Sequence, residues 1–173
     1  MNSVIDGYKM QENTFIYRDA HSDDITGINR VVEAAVMGWN LPERVKRLSL
    51  FSYRYNDFDL QSQSIVVAET QQHEIVAVAS TEDAEPADLP AEKTGLLLHG
   101  LYVLPEWQGH GIGRHLVQLA LQQVRMRKLH GLLVKAQADA VGFFRTLGFE
   151  QLPVRDERRD YVNRYWLQSK AET

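Results

Sequence analysis

Three glycines at alternate positions, Gly109, Gly111 and Gly113, lie between an apolar segment and an amphipathic one. A glycine-containing turn that joins a strand to a helix brings several backbone N–H groups and the positive end of the helix dipole to one point. Because glycine has no Cβ, the backbone can turn there and a bulky anion can approach closely. The spacing therefore predicts a loop that binds phosphate or pyrophosphate.

Two widespread phosphate-binding motifs do not fit this loop. A dinucleotide-binding G-x-G-x-x-G motif requires a glycine where Leu116 stands, and a P-loop requires a lysine directly after Gly113. What remains is the pattern Gln108-x-x-Gly111-x-Gly113, which follows an apolar segment that ends at residues 101–103.

A second motif, AVGFFRTLGF, occupies residues 140–149. The glycine loop resembles the [R/Q]-x-x-G-x-[G/A] pyrophosphate loop of the GNAT superfamily of acetyl-CoA-dependent N-acetyltransferases. Residues 140–149 look like the A-x-x-F-Y-x-x-x-G-F segment of the same family. The resemblance covers residues 15–168 by element order, and its residue-level content lies within about residues 95–150.

This resemblance implies an α/β (α+β) fold in which helices flank a mixed, mostly antiparallel central sheet. The sheet would splay open between the strand ending at Val103 and the strand Leu132–Lys135, and acetyl-CoA would bind in the gap as the acyl donor. By the same likeness, residues 101–103 pair with the pantetheine arm and the amides of residues 109–114 hold the pyrophosphate. The implied cofactor-binding residues are Leu101, Tyr102, Val103, Gln108, Gly109, His110, Gly111, Ile112, Gly113, Arg114, Phe143 and Phe144.

An amine attacks a thioester only in its neutral form, so a base that removes a proton from an ammonium group would assist transfer. In many members of the resembled family this base is a carboxylate, and its position falls on Leu97 here. Strand alternation places His99 on the same face, two residues nearer to the acetyl group. An imidazole, whose unperturbed pKa is about 6.5, suits a base at neutral pH. His99 is thus the candidate base, and a histidine packed at the sheet surface is the alternative.

The proton donor of the family is also replaced. The tyrosine that protonates the leaving thiolate in many members falls on Phe144, which has no proton to give. Tyr102 or water could take over this step, or the step needs no acid. The replacement also leaves room for a domain that binds CoA without transferring an acyl group.

Aromatic residues in the first third of the chain are the candidates for acceptor binding. Trp39, Tyr53 and Tyr55 lie near Asp57 and Asp59, and aromatic faces beside carboxylates suit an amine or ammonium group. Ordinary core packing is the alternative. No residue in the sequence identifies the acceptor.

Hydrophobic periodicity predicts the elements that position these residues. An antiparallel hairpin is expected from two β-branched runs joined by the turn at 70–74, and residues 82–93 are expected to form a solvated loop because they are rich in acids and proline. The predicted strands cover residues 15–18, 65–68, 75–79, 96–103, 132–135, 149–153 and 161–168. The predicted helices cover residues 22–36, 42–48, 112–127 and 138–147.

Composition limits the remaining choices. The 173 residues, 44% of them apolar, predict a single domain over 1–173 with its core at about 15–168. No run of about 18 apolar residues is present to span a membrane, and no secretory signal is evident, so we expect a cytoplasmic protein. The absence of cysteine and of H-x-x-x-H spacing argues against a metal site.

Charge is unevenly distributed along the chain. Residues 1–100 hold 8 Lys+Arg against 16 Asp+Glu, whereas residues 101–173 hold 11 against 7, and the net charge is −4. A net acidic chain argues against nucleic acid as a partner, and the asymmetry suits a site that receives a cation from one side and a polyanion from the other.

The sequence therefore leaves three functions open. The first is an N-acetyltransferase whose partners are acetyl-CoA and an amine acceptor. The second is a catalytically silent acyl-CoA sensor on the same fold, and the third is a small protein-interaction domain that uses the acidic segment 82–92. The oligomeric state is open as well, with a homodimer among the options.

Overall fold

A twisted sheet of seven strands forms the centre of the protein, whose computed structural model describes residues 14–170. The strand order is β1-β2-β3-β4-β5-β7-β6, and β4 and β5 are the one parallel pair in this sheet. The strands are β1 (Ile16–Asp19), β2 (Ser64–Glu69), β3 (Ile75–Asp83), β4 (Gly95–Val103), β5 (Gly131–Lys135), β6 (Glu150–Gln151) and β7 (Arg164–Gln168).

Five α-helices lie within the described part of the chain: α1 (Ile25–Met37), α2 (Glu43–Tyr53), α3 (Asp57–Ser62), α4 (Ile112–Met126) and α5 (Val141–Thr146). Helices α1 and α4 both pack on β3 and β4, and each helix does so through its own stripe of apolar residues. The stripe of α4 consists of Ile112, Leu116, Val117, Ala120 and Val124, all nearly fully buried. None of these helices is long and apolar enough to cross a membrane.

The predicted hairpin and the predicted α4 are confirmed. β2 and β3 pair antiparallel around a turn in which the Thr70 amide donates to the Glu74 carbonyl, and α4 differs from the predicted helix by one residue. Some of the other predictions are wrong. Helix α3 was not expected, and β6 and β7 are shorter than the predicted strands because residues 152–163 form a hydrogen-bonded loop.

The connection between β3 and β4 corrects the prediction of a solvated loop over residues 82–93. β3 continues through Asp83, and Leu89 is buried against Leu133 and Trp166 in a second apolar cluster. Leu97, at the family position of the base, packs against this cluster. A carboxylate there would lose its hydration among apolar neighbours, so the local packing favours leucine.

Candidate active site

The parallel strands β4 and β5 separate part of the way along their length. Their pairing runs from Gly95 with Gly131 to Leu98 with Val134, whereas β4 continues along β3 as far as Val103. The edge of residues 99–103 that faces β5 therefore has no strand partner in the sheet. Unpaired N–H and C=O groups on a strand edge are a template for an extended ligand.

A cavity of about 650 Å³ opens where the two strands separate. Its walls come from the unpaired part of β4, the end of β5, the glycine loop with the first turn of α4, the end of α1, and α5. Of the twelve residues predicted to bind cofactor, His110 alone does not line it. The cavity thus links the candidate phosphate loop to the candidate base.

The glycine loop has the backbone geometry that its spacing predicts. Gly109 and Gly111 both have φ +81°, and a Cβ added at either residue would meet no atom within 4 Å. Gly111 is the N-cap of α4, so the amides of the first helical turn have no intrahelical acceptor. The loop is therefore an open concave surface with N–H donors at a helix N-terminus, which fits a pyrophosphate.

Two further residues of the loop are held by the backbone. The Gln108 side chain donates from Nε2 to the Val103 carbonyl over 3.3 Å. His110 Nδ1 lies 3.1 Å from the carbonyl oxygens of Trp107 and Gln108, and the ring is exposed outside the cavity wall. Because Nδ1 faces carbonyl oxygens, it carries the hydrogen, and Nε2 is the nitrogen free to accept.

His99 lies where β4 loses both of its neighbours. It is the first residue beyond the last β4–β5 pair, and it is also the unpaired extra residue of a β-bulge, since Leu98 pairs with Thr81 and Gly100 with Ser80. The side chain is 45% exposed and lines the cavity, and its Nδ1 atom lies 2.8 Å from a carboxylate oxygen of β3. The ring is therefore accessible to a ligand.

Tyr102 on β4 and Phe144 on α5 both line this cavity. Burial raises the pKa of Tyr102 well above its usual value, so the phenol stays protonated at neutral pH. Its hydroxyl has no hydrogen-bonding partner within residues 14–170. Phe144 is 3% exposed and makes edge contacts with Phe143 and Phe149 at 5.1 and 5.3 Å between ring centroids.

The aromatic residues predicted to bind the acceptor separate into two groups. Trp39 and Tyr53 line the cavity and meet edge to face at 5.4 Å. Tyr55 is 5% exposed and lies in the core, where its hydroxyl is 2.7 Å from Ser80 Oγ and fills the space that a Cβ on Gly100 would take. Burial raises the pKa of Tyr55 to about 12, and the residue does not reach the cavity.

Sequence reasoning missed three polar residues of the site. Gln137 donates to the Tyr53 hydroxyl over 3.0 Å, and the Asp139 carboxylate accepts from the backbone N–H of Asn40 over 2.9 Å, so both tie the α1–α2 region to the segment after β5. The third is Glu82, whose carboxylate contacts His99. No local motif marks these residues, because each acts across a gap between distant parts of the chain. Within the described residues no three potential metal ligands cluster.

Comparison with known proteins gives the class. The family model described as "Acetyltransferase (GNAT) domain" matches residues 45–163. The chain belongs to the GNAT acetyltransferase family, and its mixed sheet with flanking helices is the fold of that family.

A curated relative and two solved structures extend this comparison. The chain is 29% identical over 142 residues to an L-methionine sulfoximine/L-methionine sulfone acetyltransferase of Pseudomonas paraeruginosa, and the match covers 77% of this chain and 78% of the relative. A GNAT family acetyltransferase from Brucella melitensis in complex with acetyl-CoA has TM-score 0.62 and 20% identity, with 93% and 92% of the two chains covered. PaiA N-acetyltransferase from Thermoplasma acidophilum in complex with coenzyme A has TM-score 0.67 and 13% identity, with coverage of 91% and 99%.

Proposed function

We propose that this chain transfers the acetyl group of acetyl-CoA to a primary amine of a small molecule, peptide or protein. The observation that carries this proposal is the continuous cavity between the glycine loop of α4, the open edge of β4 and His99. An anion-binding loop and a titratable base at the walls of one cavity meet the two requirements of acetyl-CoA-dependent acetylation of an amine.

The backbone of this chain fits the acyl donor, which supplies an activated acetyl thioester when it is bound. The amides of residues 109–114 would hold the pyrophosphate, and the side chains of Phe143 and Phe144 would pack beside it. Residues 101–103 would pair with the pantetheine arm along the open edge of β4. A backbone N–H of this edge is also suited to stabilise negative charge on the carbonyl oxygen during transfer.

His99 acts as the base in this proposal. One of its ring nitrogens accepts a proton from the ammonium group of the acceptor, which leaves a neutral amine that can attack. Tyr102, protonated at neutral pH and unpartnered within residues 14–170, is the candidate that hydrogen-bonds the departing sulfur. Proximity supplies much of the remaining acceleration, because both reactants are held in one cavity.

Trp39 and Tyr53 form the proposed acceptor wall, because both residues line the cavity and aromatic rings attract an ammonium group. The relative that acts on L-methionine sulfoximine and L-methionine sulfone makes free α-amino acids of similar size the first acceptors to test. These two compounds therefore head the amine panel, followed by polyamines, lysine-containing peptides and peptide N-termini.

The test measures binding first and transfer second. Saturating acetyl-CoA should raise the melting temperature by mass action, whereas NADH and ATP should have little effect. Release of CoA thiol is then followed with each amine of the panel, and the product is identified by its mass. An unchanged melting temperature at saturating acetyl-CoA would refute the assignment of the donor.

A second candidate function is a silent acyl-CoA-binding module. It is favoured by the apolar residues at the two family positions for proton transfer, Leu97 and Phe144. Thermal stabilisation by acetyl-CoA without thiol release to any amine would support this function over the transferase.

A further inference from the structure

Glu82, near the end of β3, lies against the imidazole of His99. Its Oε1 atom is 2.8 Å from His99 Nδ1, and the two side chains are 33% and 45% exposed. Among the residues that the structure describes, no other carboxylate contacts this ring. His99 lines the cavity and Glu82 does not, so the carboxylate influences the cavity through the imidazole.

The bulge in β4 explains why these side chains meet. Thr81 pairs with Leu98 and Ser80 pairs with Gly100, which leaves His99 as an extra residue with no partner on β3. A bulge of this kind bends its strand and re-aims the side chain of the inserted residue. The ring consequently reaches the acid that follows Thr81 on β3, and the contact depends on the register of two strands.

We propose that Glu82 is the positioning residue of His99: it keeps the hydrogen on Nδ1 and offsets the charge of the imidazolium that forms during transfer. This proposal rests on the transferase function proposed above. A carboxylate at neutral pH only accepts hydrogen bonds, so the nitrogen beside it carries the hydrogen and Nε2 keeps its lone pair. Nε2 has no partner within residues 14–170 and is therefore free to act as the base.

An ammonium acceptor loses one proton to His99 Nε2 before the C–N bond forms. The C–S bond then breaks, and the nitrogen loses its second proton as the amide is completed. The CoA thiolate takes up one of the two protons, and His99 returns to its neutral form when the other reaches solvent.

Two other charged side chains of the cavity wall, those of Lys135 and Asp139, have partners in the fold. Lys135 Nζ at the end of β5 is 2.8 Å from Asp88 Oδ2 of the β3–β4 connection. The Asp139 carboxylate accepts from the backbone N–H of Asn40. On α1 the residues that line the cavity carry no charge. The remaining titratable side chains of the walls are those of Tyr53, Tyr102 and Arg114.

Glu82→Gln is the informative variant. Glutamine keeps the size of the side chain but loses its charge. Because its amide group both donates and accepts, it no longer determines which imidazole nitrogen carries the hydrogen. We expect kcat to fall about tenfold while KM for acetyl-CoA is unchanged. In a His99→Ala background the same change should have no further effect on kcat, because Glu82 acts only through the imidazole. This double-mutant cycle measures the coupling between the two residues.

Asp83→Asn is the matched control. Asp83 follows Glu82 on the same strand, and its carboxylate pairs at 2.7 Å with Arg127, the C-cap residue of α4. Its loss removes the same charge from the same strand end without touching His99, so we expect kcat of the parent. Both pairs are partly exposed and contribute little to stability, which lets the variants fold.

The imidazole nitrogen chemical shifts of labelled histidines report which ring nitrogen carries the hydrogen. They would not change if Glu82 had only a structural role. We expect His99 to carry its hydrogen on Nδ1 in the parent and on either nitrogen in Glu82→Gln. Parental kcat in Glu82→Gln, with His99→Ala impaired, would overturn the positioning role and leave the transferase standing. If the parent acetylates no amine, the proposed function fails, and unchanged imidazole signals in Glu82→Gln would then overturn the positioning role independently.

Discussion

His99 is set apart from the other histidines by the state of its strand. His99 has no pairing residue on β3, because it is the extra residue of the bulge. It has none on β5 either, because β4 and β5 have already separated at this point. A side chain at such a point can turn toward a ligand without breaking a ladder of hydrogen bonds. We expect His99 to replace the carboxylate that Leu97 cannot supply.

His99→Ala should lower kcat/KM for the amine mainly below about pH 8, where an alkylamine most needs help to lose its proton. Activity should recover in part at higher pH, because the fraction of neutral amine rises without a base. The measurement is initial rate against pH for parent and variant, with acetyl-CoA saturating. Rate profiles that coincide over the whole range would make His99 a structural residue.

Phe144→Tyr restores the hydroxyl of the family at the position of the proton donor. We expect the single-turnover rate to change by less than about threefold, because a thiolate is a tolerable leaving group and Tyr102 or water can protonate it. If the hydroxyl faces its apolar neighbours, the free energy of unfolding should fall by about 1–3 kcal/mol.

Single-turnover transfer and urea denaturation of both proteins check this prediction. A rate gain of tenfold or more would contradict it and would show that proton supply to the thiolate limits the parent.

The candidate site depends on the loop that joins β4 to α4. Gly109 and Gly111 adopt positive φ, and Gly113 brings the helix close to the Phe143 ring, which lies 3.3 Å from the position of an added Cβ. The junction thus combines a sharp turn, a free set of helix N-terminal amides and contact with α5. These features fix where a polyanion lies relative to the open edge of β4.

Gly111→Val should raise the dissociation constant for acetyl-CoA at least tenfold and leave a cooperative melt. The branched side chain would occupy the open concave face of the loop, and φ +81° is unfavourable for valine. Isothermal titration and thermal denaturation provide the two measurements.

Gly148→Val is the control for backbone strain. Its φ is +89°, and an added Cβ would lie 3.7 Å from Leu167, outside the cavity. We expect this variant to lose stability but to keep the parental affinity. Equal affinity in Gly111→Val and the parent would remove the loop from the site.

The sequence predicts those elements whose signals are local. Glycine spacing and a regular apolar stripe were sufficient for the loop and for α4, and two β-branched runs were sufficient for the β2–β3 hairpin. The burial of Leu89 could not be predicted, because a single apolar residue among acids and prolines forms no periodic hydrophobic pattern. The contact of Glu82 with His99 depends on a bulge, and the burial of Tyr55 depends on the missing Cβ of Gly100; neither can be seen without the paired strands.

A network of charged side chains connects the cavity wall with β7, the strand beside β5 in the sheet. Arg164 on β7 is 4% exposed and donates to the Asp88 and Pro153 carbonyls and to the Asp160 carboxylate. Asp88 in turn pairs with Lys135, which lines the cavity. This network connects the β3–β4 connection, the loop before β7 and the end of β5, so its ionisation state bears on the stability of the site.

Asp160 is expected to make the stability of the fold sensitive to acid. The N–H groups of Arg155 and Asp156, with the guanidinium groups of Arg159 and Arg164, lower the pKa of Asp160 to about 2. A carboxyl whose pKa is lower in the folded state stabilises the fold above its unfolded pKa of about 3.9, and this contribution is lost as pH falls toward the folded value. The free energy of unfolding should therefore decline between about pH 5 and pH 2.

In Asp160→Asn the free energy of unfolding should be lower at pH 7, because Arg164 loses a buried counter-charge. It should also decline less steeply on acidification. Urea denaturation of both proteins from pH 7 to pH 3 measures the two slopes, and parallel slopes would show that Asp160 is not a principal source of the acid sensitivity.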